Sequence, residues 1–283
     1  MELSRIGVIG AGVMGSGVAQ SLATAGFDVV VVDNSAPALA RCEAQLRRNV
    51  RFAAMFAGKG QKPLDVAALA RIRFTERIEE VSDADAVIEN VVEKWPVKEV
   101  VFRDLGRVCG PSCVLASNTS AISVTRSASV VPHPERVLGM HFMNPVPLIA
   151  TVEVIRGVHT SAGTLEIALA LLARMGKAGV VVADAPGFVS NRVLMLTVNE
   201  AIWLVQDGVS TPEDVDRIFR ECMGHRMGPL ATADLIGLDT ILYSLEALQE
   251  QFGDPKFRPC PLLRRMVDAG RLGAKSGEGF YNH

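Results

Sequence analysis

Short apolar runs alternate with longer stretches of helical spacing from the start of the chain to about residue 183, and then the short runs stop. Arg5–Ile9, Phe27–Val32, Ala86–Ile88 and Cys113–Ala116 are brief, rich in β-branched residues and bounded by turn formers, which predicts buried strands. Between them, Ser16–Ala25, Ala36–Ala57, Leu64–Ala70 and Val97–Val108 carry apolar residues at helical intervals. In the long stretch Ala36–Ala57 the candidate buried positions are Leu39, Leu46, Val50 and Phe52, and Gly58–Pro63 reads as a loop. Strand–helix–strand repetition of this kind predicts a doubly wound parallel sheet.

The regular alternation changes after the strand at Cys113–Ala116. Arg136–Phe142 and Thr151–Ile155 both read as strands, and Asn144-Pro145-Val146-Pro147 joins them. Two prolines in so short a connection suit a hairpin-like return. A turn centred near Pro147 leaves His141 and Glu153 equidistant from it, so the two residues are expected to face each other. A helix over Thr164–Met175 and a strand over Val180–Ala183 complete this part. From Asp184-Ala185-Pro186-Gly187 onward only helices are predicted: Val189–Gln206, Thr211–Met223, Ala231–Gln251 and Pro261–Asp268. Thr211-Pro212-Glu213-Asp214 is a strong helix start, with a threonine cap, a proline in the first turn and acids after it. The expected organisation is a Rossmann-type α/β domain over residues 1–185 and an all-α C-terminal domain over 186–283.

Composition narrows the class. The 283 residues are 49% hydrophobic and 21% charged, with a net charge of −2, the profile of a soluble enzyme with ample core. No dense basic run exists to meet nucleic acid, and no apolar run reaches membrane-spanning length. The chain enters its first strand without a leader-like segment, so a cytoplasmic location is expected. Five cysteines (Cys42, Cys109, Cys113, Cys222 and Cys260) show no C-x-x-C spacing and read as reduced packing residues. Cys109 and Cys113 lack a nearby histidine or third cysteine, so no metal site is expected.

The first strand ends in Gly10-Ala11-Gly12-Val13-Met14-Gly15, a G-x-G-x-x-G turn leading into a helix, with Asp33 closing the next apolar run. In such a turn Gly10 makes the bend, Gly12 lets backbone approach a pyrophosphate, and Gly15 lets the helix pack on the strand. The helix N-terminus supplies free N–H groups to the phosphates. Asp33 suits the ribose hydroxyls of NAD and would repel the 2′-phosphate of NADP, and Asn34 offers no countercharge. The alternative for Asp33 is a strand-end cap.

A nicotinamide enzyme acting on an alcohol requires a base for the hydroxyl proton. Histidine suits the task because its unperturbed pKa lies near neutrality. Of five histidines, His133, His159, His225 and His283 fall in loops or at the terminus, whereas His141 ends an apolar strand opposite Glu153. A carboxylate on one ring nitrogen fixes the tautomer and stabilises the imidazolium. Ser120 beyond one strand end, Asn144 near His141, and Asn191 early in the first C-terminal helix are candidates to hold the reacting oxygen. Each of the three could instead cap a helix or turn.

These residues together resemble the short-chain L-3-hydroxyacyl-CoA dehydrogenases of the 3-hydroxybutyryl-CoA type, over nearly the whole chain. The resemblance is carried by Val8–Gly15, Ser117-Asn118-Thr119-Ser120, Gly139–Pro147, Val152-Glu153-Val154-Ile155, Pro186–Arg192, Leu235–Thr240 and Lys275–Tyr281. It implies His141 and Glu153 as the acid/base pair, with Ser120 and Asn191 positioning the substrate's 3-oxygen. For NAD it implies Gly10, Ala11, Gly12, Val13, Met14, Gly15, Asp33, Glu93, Lys98, Ser120, Asn144 and Lys275. It further implies a homodimer formed through residues 186–283.

The chain departs from the family pattern in two places. Ile149-Ala150 stands where many members have Met-Lys. The second half of the long helix, Val50–Phe56, is apolar except for Arg51 where relatives are lysine-rich beside the CoA phosphates; Arg47, Arg48, Lys59 and Lys62 flank it. Those departures leave acyl carrier protein as an alternative thioester carrier, as in polyketide extender-unit synthesis. The non-enzyme alternative is a crystallin-like NAD-binding protein on the same scaffold. A related two-domain sugar-acid or hydroxy-acid dehydrogenase would need a lysine base between Asn191 and Gln206, and that stretch has none.

Overall fold

The computed structural model describes residues 3–56 and 64–283, without the side chains of 52–56. The chain divides into two compact units, Met1–Ala185 and Pro186–His283. In the first unit the elements are β1 (Arg5–Ile9), α1 (Val13–Thr24), β2 (Asp28–Val32), α2 (Ala36–Phe56), α3 (Val66–Leu69) and β3 (Ile72–Thr75). They continue with β4 (Ala86–Glu89), α4 (Trp95–Val108), β5 (Val114–Ser117), α5 (Val124–Ala128), β6 (Val137–His141), β7 (Thr151–Arg156), α6 (Ala162–Arg174) and β8 (Ala178–Ala183).

The eight strands form one sheet in the order β3-β2-β1-β4-β5-β6-β7-β8. Every neighbouring pair is parallel except β6 and β7, which run antiparallel across the proline turn. Strand order reverses between β1 and β4, and right-handed crossovers running opposite ways put α1 and α4 on opposite faces. A crevice therefore opens between the β1 and β4 ends, where α/β sheets of this class take their ligands. On the α1 face, Val18 and Leu22 from α1, Leu39 and Leu46 from α2, and Leu171 and Leu172 from α6 pack on Ile6, Val8, Val29 and Val31. Leu39 and Leu46 are buried and Val50 packs partly buried against the same core, whereas the side chain of Phe52 is not described and the loop Gly58–Pro63 lies outside the described residues.

Two elements of the first unit escape the hydrophobic pattern. β3 is the four-residue Ile72-Arg73-Phe74-Thr75 at the sheet edge, where a charged residue between two apolar ones disguises the alternation. α5 is five residues of mostly Ser, Thr and Arg, types with little helical signal, held by caps. Ser123 accepts from Arg126 N, and the Asp184 carboxylate accepts from Ser123 Oγ, Val124 N and Thr125 N.

The second unit holds α7 (Ser190–Gln206), α8 (Pro212–Glu221), α9 (Pro229–Ile236), α10 (Leu238–Phe252) and α11 (Pro261–Asp268). The sequence predicts one helix over Ala231–Gln251, and the structure breaks it at Gly237. That glycine has φ +104°, and a Cβ there would crowd Lys275 Nζ and Asp239 Oδ1 at 2.9 and 3.0 Å. Met195, Val198 and Ile202 of α7, Leu230 of α9, Ile241 and Leu245 of α10 and Leu263 of α11 form its core. All five cysteines are free, and four of them are buried. Among the described residues no helix is long and apolar enough to cross a membrane.

Candidate active site

The glycine turn between β1 and α1 is shaped by three different constraints. Gly10 has φ +98°, and a Cβ there would press on the Asn90 carbonyl at 2.7 Å. At Gly15 a Cβ would overlap the Gly10 carbonyl oxygen, so only glycine lets α1 sit this close to β1. At Gly12 an added Cβ would meet nothing within 4 Å. The space above Gly12 is therefore open beside the N-terminus of α1, a cradle of the kind a pyrophosphate fills. Asp33 closes the loop from β2: its Oδ2 accepts from Ala11 N at 2.8 Å and its Oδ1 from Ser35 N at 2.9 Å. Each carboxylate oxygen has a second lone pair for a ribose hydroxyl, so the capping and ribose readings are compatible.

Beyond β5 and β6 a second cluster assembles. His141, the last residue of β6, is paired in register with Glu153 of β7. His141 Nδ1 lies 2.8 Å from Glu153 Oε2, and Nε2 lies 2.9 Å from Ser120 Oγ. An ionised carboxylate only accepts, so Nδ1 carries the proton and Nε2 presents its lone pair to the serine hydroxyl. His141 and Glu153 are both buried. Chemically this is a base on a hydroxyl, held in one tautomer. The same three groups could serve acyl transfer by the serine. What distinguishes this chain is the dinucleotide cradle at the same edge of the sheet.

Ser120 sits in a loop wrapped around a carboxylate. Glu93 Oε1 accepts from Thr119 Oγ1 and from the backbone N–H groups of Ser120 and Ala121 at 2.9 Å and of Ile122 at 3.3 Å. Burial acts upward on the Glu93 carboxyl as the largest single influence. The Lys98 charge and the hydrogen bonds from Thr119, Ala121 and Ser120 together outweigh it and hold the carboxyl below its ordinary value. Lys98, expected as a cofactor residue, is fully buried. Its Nζ donates to Glu89 Oε1 and Oε2 at 2.7 and 2.8 Å and stands 3.4 Å from Glu93 Oε2. With no exposed atom, it acts on the loop through these carboxylates in this arrangement. For Glu89, burial pushes the carboxyl up against the pull of Lys98, Ser117 and Val91.

Three further residues join the strand ends, and the sequence reading passes over them. Asn118 Nδ2 donates to Asn90 Oδ1, while Asn118 Oδ1 accepts from Phe142 N, so one amide ties β4, β5 and β6 together. Glu89 is the single charge closing the apolar run of β4, which is the signal that could have marked it. Lys177 is buried behind the proline turn and donates to the carbonyls of Val146 at 2.6 Å and Ile149 at 2.7 Å. Burial pulls its pKa down.

A groove of about 1350 Å³ runs from Gly12 and Asn144 along α1, bounded by α2, the proline turn and the end of α6. Arg41, Arg48, Asn144 and Arg174 are among its lining residues. Asn191 lies in the first turn of α7, and Lys275 in the C-terminal tail paired with Asp239; both belong to the second unit.

The doubly wound sheet, its glycine cradle and the separate helical unit define a class, the NAD-binding dehydrogenases. A model of the 3-hydroxyacyl-CoA dehydrogenase NAD-binding domain matches residues 5–185, and a model of that family's C-terminal domain matches residues 187–283. The chain belongs to the 3-hydroxyacyl-CoA dehydrogenase family, NAD-dependent oxidoreductases acting on CH–OH groups. A probable 3-hydroxybutyryl-CoA dehydrogenase of Bacillus subtilis is 49% identical over 285 residues, covering 100% of this chain and 98% of that protein. A 3-hydroxybutyryl-CoA dehydrogenase of Bradyrhizobium diazoefficiens is 44% identical, covering 99% of this chain and 96% of that one. The crystal structure of (S)-3-hydroxybutyryl-CoA dehydrogenase from Ralstonia eutropha superposes with a TM-score of 0.90 at 40% identity, covering 100% and 99% of the two chains.

Proposed function

We propose that this chain interconverts a 3-hydroxyacyl-CoA and its 3-keto form, with a short acyl group of the 3-hydroxybutyryl kind, and that His141 is its acid/base. The observation that carries the reading is the Nε2 lone pair of a buried imidazole, directed at Ser120 Oγ and fixed by Glu153 on the other nitrogen. NAD, held by the Gly10–Gly15 turn and Asp33, would supply the hydride acceptor for C3 of the substrate. In that direction His141 Nε2 removes the 3-hydroxyl proton, and the ionised Glu153 stabilises the imidazolium through Nδ1–H. In reverse, protonated His141 gives the proton to the 3-keto oxygen. Ser120 and Asn191 orient that oxygen.

On the cofactor side, the Gly10–Gly15 turn holds the pyrophosphate and Asp33 the ribose, with Glu93, Asn144 and Lys275 as further contacts and Lys98 acting behind Glu93. The groove along α1 suits the thioester's handle: Arg41, Arg48 and Arg174 offer positive charge to nucleotide phosphates, which favours CoA over a protein carrier. The helical unit, residues 186–283, is assigned dimerisation and part of the substrate site.

The test is NADH consumption with acetoacetyl-CoA, followed by absorbance for wild type and His141→Ala. Wild-type turnover with a loss of several orders of magnitude in the variant supports the reading. No turnover with any 3-ketoacyl thioester, or an unimpaired variant, overturns it. Faster turnover with acetoacetyl-acyl-carrier-protein than with acetoacetyl-CoA would reassign the carrier.

A further inference from the structure

Behind the Ser120 loop, Glu89, Lys98 and Glu93 alternate in charge, and Glu89 has no part in the proposed chemistry. Glu89, at the end of β4, and Lys98, in the first turns of α4, are both 0% exposed. Glu89 has its acceptor capacity filled by four donor contacts: Val91 N and Lys98 Nζ on Oε1, and Lys98 Nζ and Ser117 Oγ on Oε2. Burying such a pair carries a desolvation cost that apolar side chains of similar volume would avoid, so stability is a poor account of it.

The distances suggest another account. Lys98 Nζ is 2.7 and 2.8 Å from the Glu89 oxygens but 3.4 Å from Glu93 Oε2. Held this way, the ammonium neutralises Glu93 from one side and leaves Oε1 to the Thr119 hydroxyl and the N–H groups of Ser120, Ala121 and Ile122. Without the Glu89 charge, Lys98 is free to close on both Glu93 oxygens as a two-point pair, in competition with the loop donors. We propose that Glu89 is a positioning residue for Ser120: it restrains Lys98 so that Glu93 grips the 119–122 loop and sets Ser120 Oγ against His141. The inference rests on the reading of Ser120 as a substrate-positioning hydroxyl.

The experiment is a double-mutant cycle on kcat for acetoacetyl-CoA reduction at saturating NADH, with Glu89→Gln, Ser120→Ala and their combination. The expected result is a fall of about tenfold in kcat for Glu89→Gln alone, a geometric loss of ~1.4 kcal/mol in the transition state. In the Ser120→Ala background the same change is expected to alter kcat by less than about twofold, because its route of action is gone. Should Glu89→Gln fold poorly, Glu89→Asp keeps the buried charge pair but draws the carboxylate back from Lys98 by one methylene, and is expected to keep a Tm near the wild-type value while kcat still falls several-fold. A normal kcat in that stably folded variant overturns the proposal. So does a full tenfold effect of Glu89→Gln on top of Ser120→Ala, or none in the wild-type background. If Ser120→Ala alone leaves kcat unchanged, the reading of Ser120 falls, and the proposal with it.

Discussion

Nδ1 of His141 lies 2.8 Å from Oε2 of Glu153, across a register pair of the antiparallel β6–β7 junction. The contact is imposed by topology: a turn of fixed length places the two residues opposite each other on the same face of adjacent strands. Because neither side chain has to search for the other, the acid costs little entropy in holding the ring. Glu153→Gln keeps the shape but lets the amide donate as well as accept, so the ring can present N–H rather than its lone pair to Ser120. The expected outcome is a fall in kcat of about 10²–10³-fold with KM for NADH changed far less, read from steady-state kinetics. Little change in kcat would mean that the tautomer is not set by this contact.

The glycine turn separates folding from binding. Gly12→Ala projects a methyl into open space, so the protein is expected to fold with an unchanged Tm while KM for NADH rises at least about tenfold, the cost of displacing a phosphate from its amides. Gly15→Ala forces a methyl onto the Gly10 carbonyl oxygen and is expected to lower the stability by ~2–3 kcal/mol. Thermal melts alongside Michaelis curves separate the two; equal Tm losses would contradict the distinction drawn between these positions.

Much of this was legible in the sequence because it follows from local rules. The strand–turn–helix around Gly10–Gly15 is a contiguous motif, and the facing of His141 and Glu153 follows from counting outward from Pro147. The missed elements are those in which a tertiary partner replaces local signal. α5 stands on the Asp184 cap, a contact 59 to 61 residues away in the chain, which no window of neighbouring residues contains. β3 is ordered by pairing with β2 and not by its own short pattern. The break at Gly237 was written in the sequence as a glycine inside a helical run, but the crowding by Lys275 that calls for it comes from the tail. The resemblance implies Lys98 on the cofactor side, and the burial of its ammonium between Glu89 and Glu93, which depends on three separate stretches of chain meeting, is not readable from its neighbours in sequence.

Acid should loosen the Ser120 loop in a predictable direction. The folded-state pKa of Glu93 lies below its ordinary value of 4.5, so the ionised carboxylate is favoured by folding. Its contribution is fully present above the ordinary value and is lost as pH falls through the folded-state pKa. The Tm difference between wild type and Glu93→Gln should therefore be largest near neutrality and narrow in the acid range below 4.5. Melts across that range check it, and a gap that widens in acid would reverse the sign.

Lys177 offers a test of how the groove is held. Its ammonium donates to the Val146 and Ile149 carbonyls of the proline turn, and Lys177 and the turn, Asn144 included, line the groove together. Methionine matches the length and apolar stem of lysine but donates nothing, so Lys177→Met leaves two carbonyls short of a partner and relieves a buried charge. The two effects oppose each other, and the net loss of stability should stay near ~1–2 kcal/mol. The turn itself, freed from its rear anchor, should lose definition where the thioester's handle passes. KM for acetoacetyl-CoA is then expected to rise several-fold, on the order of five, and KM for NADH by less, about twofold, since Asn144 on the turn is one cofactor contact among several and the glycine turn is untouched. An equal rise in both constants would show that the turn serves the cofactor and the thioester alike, and that Lys177 is not specific to the groove.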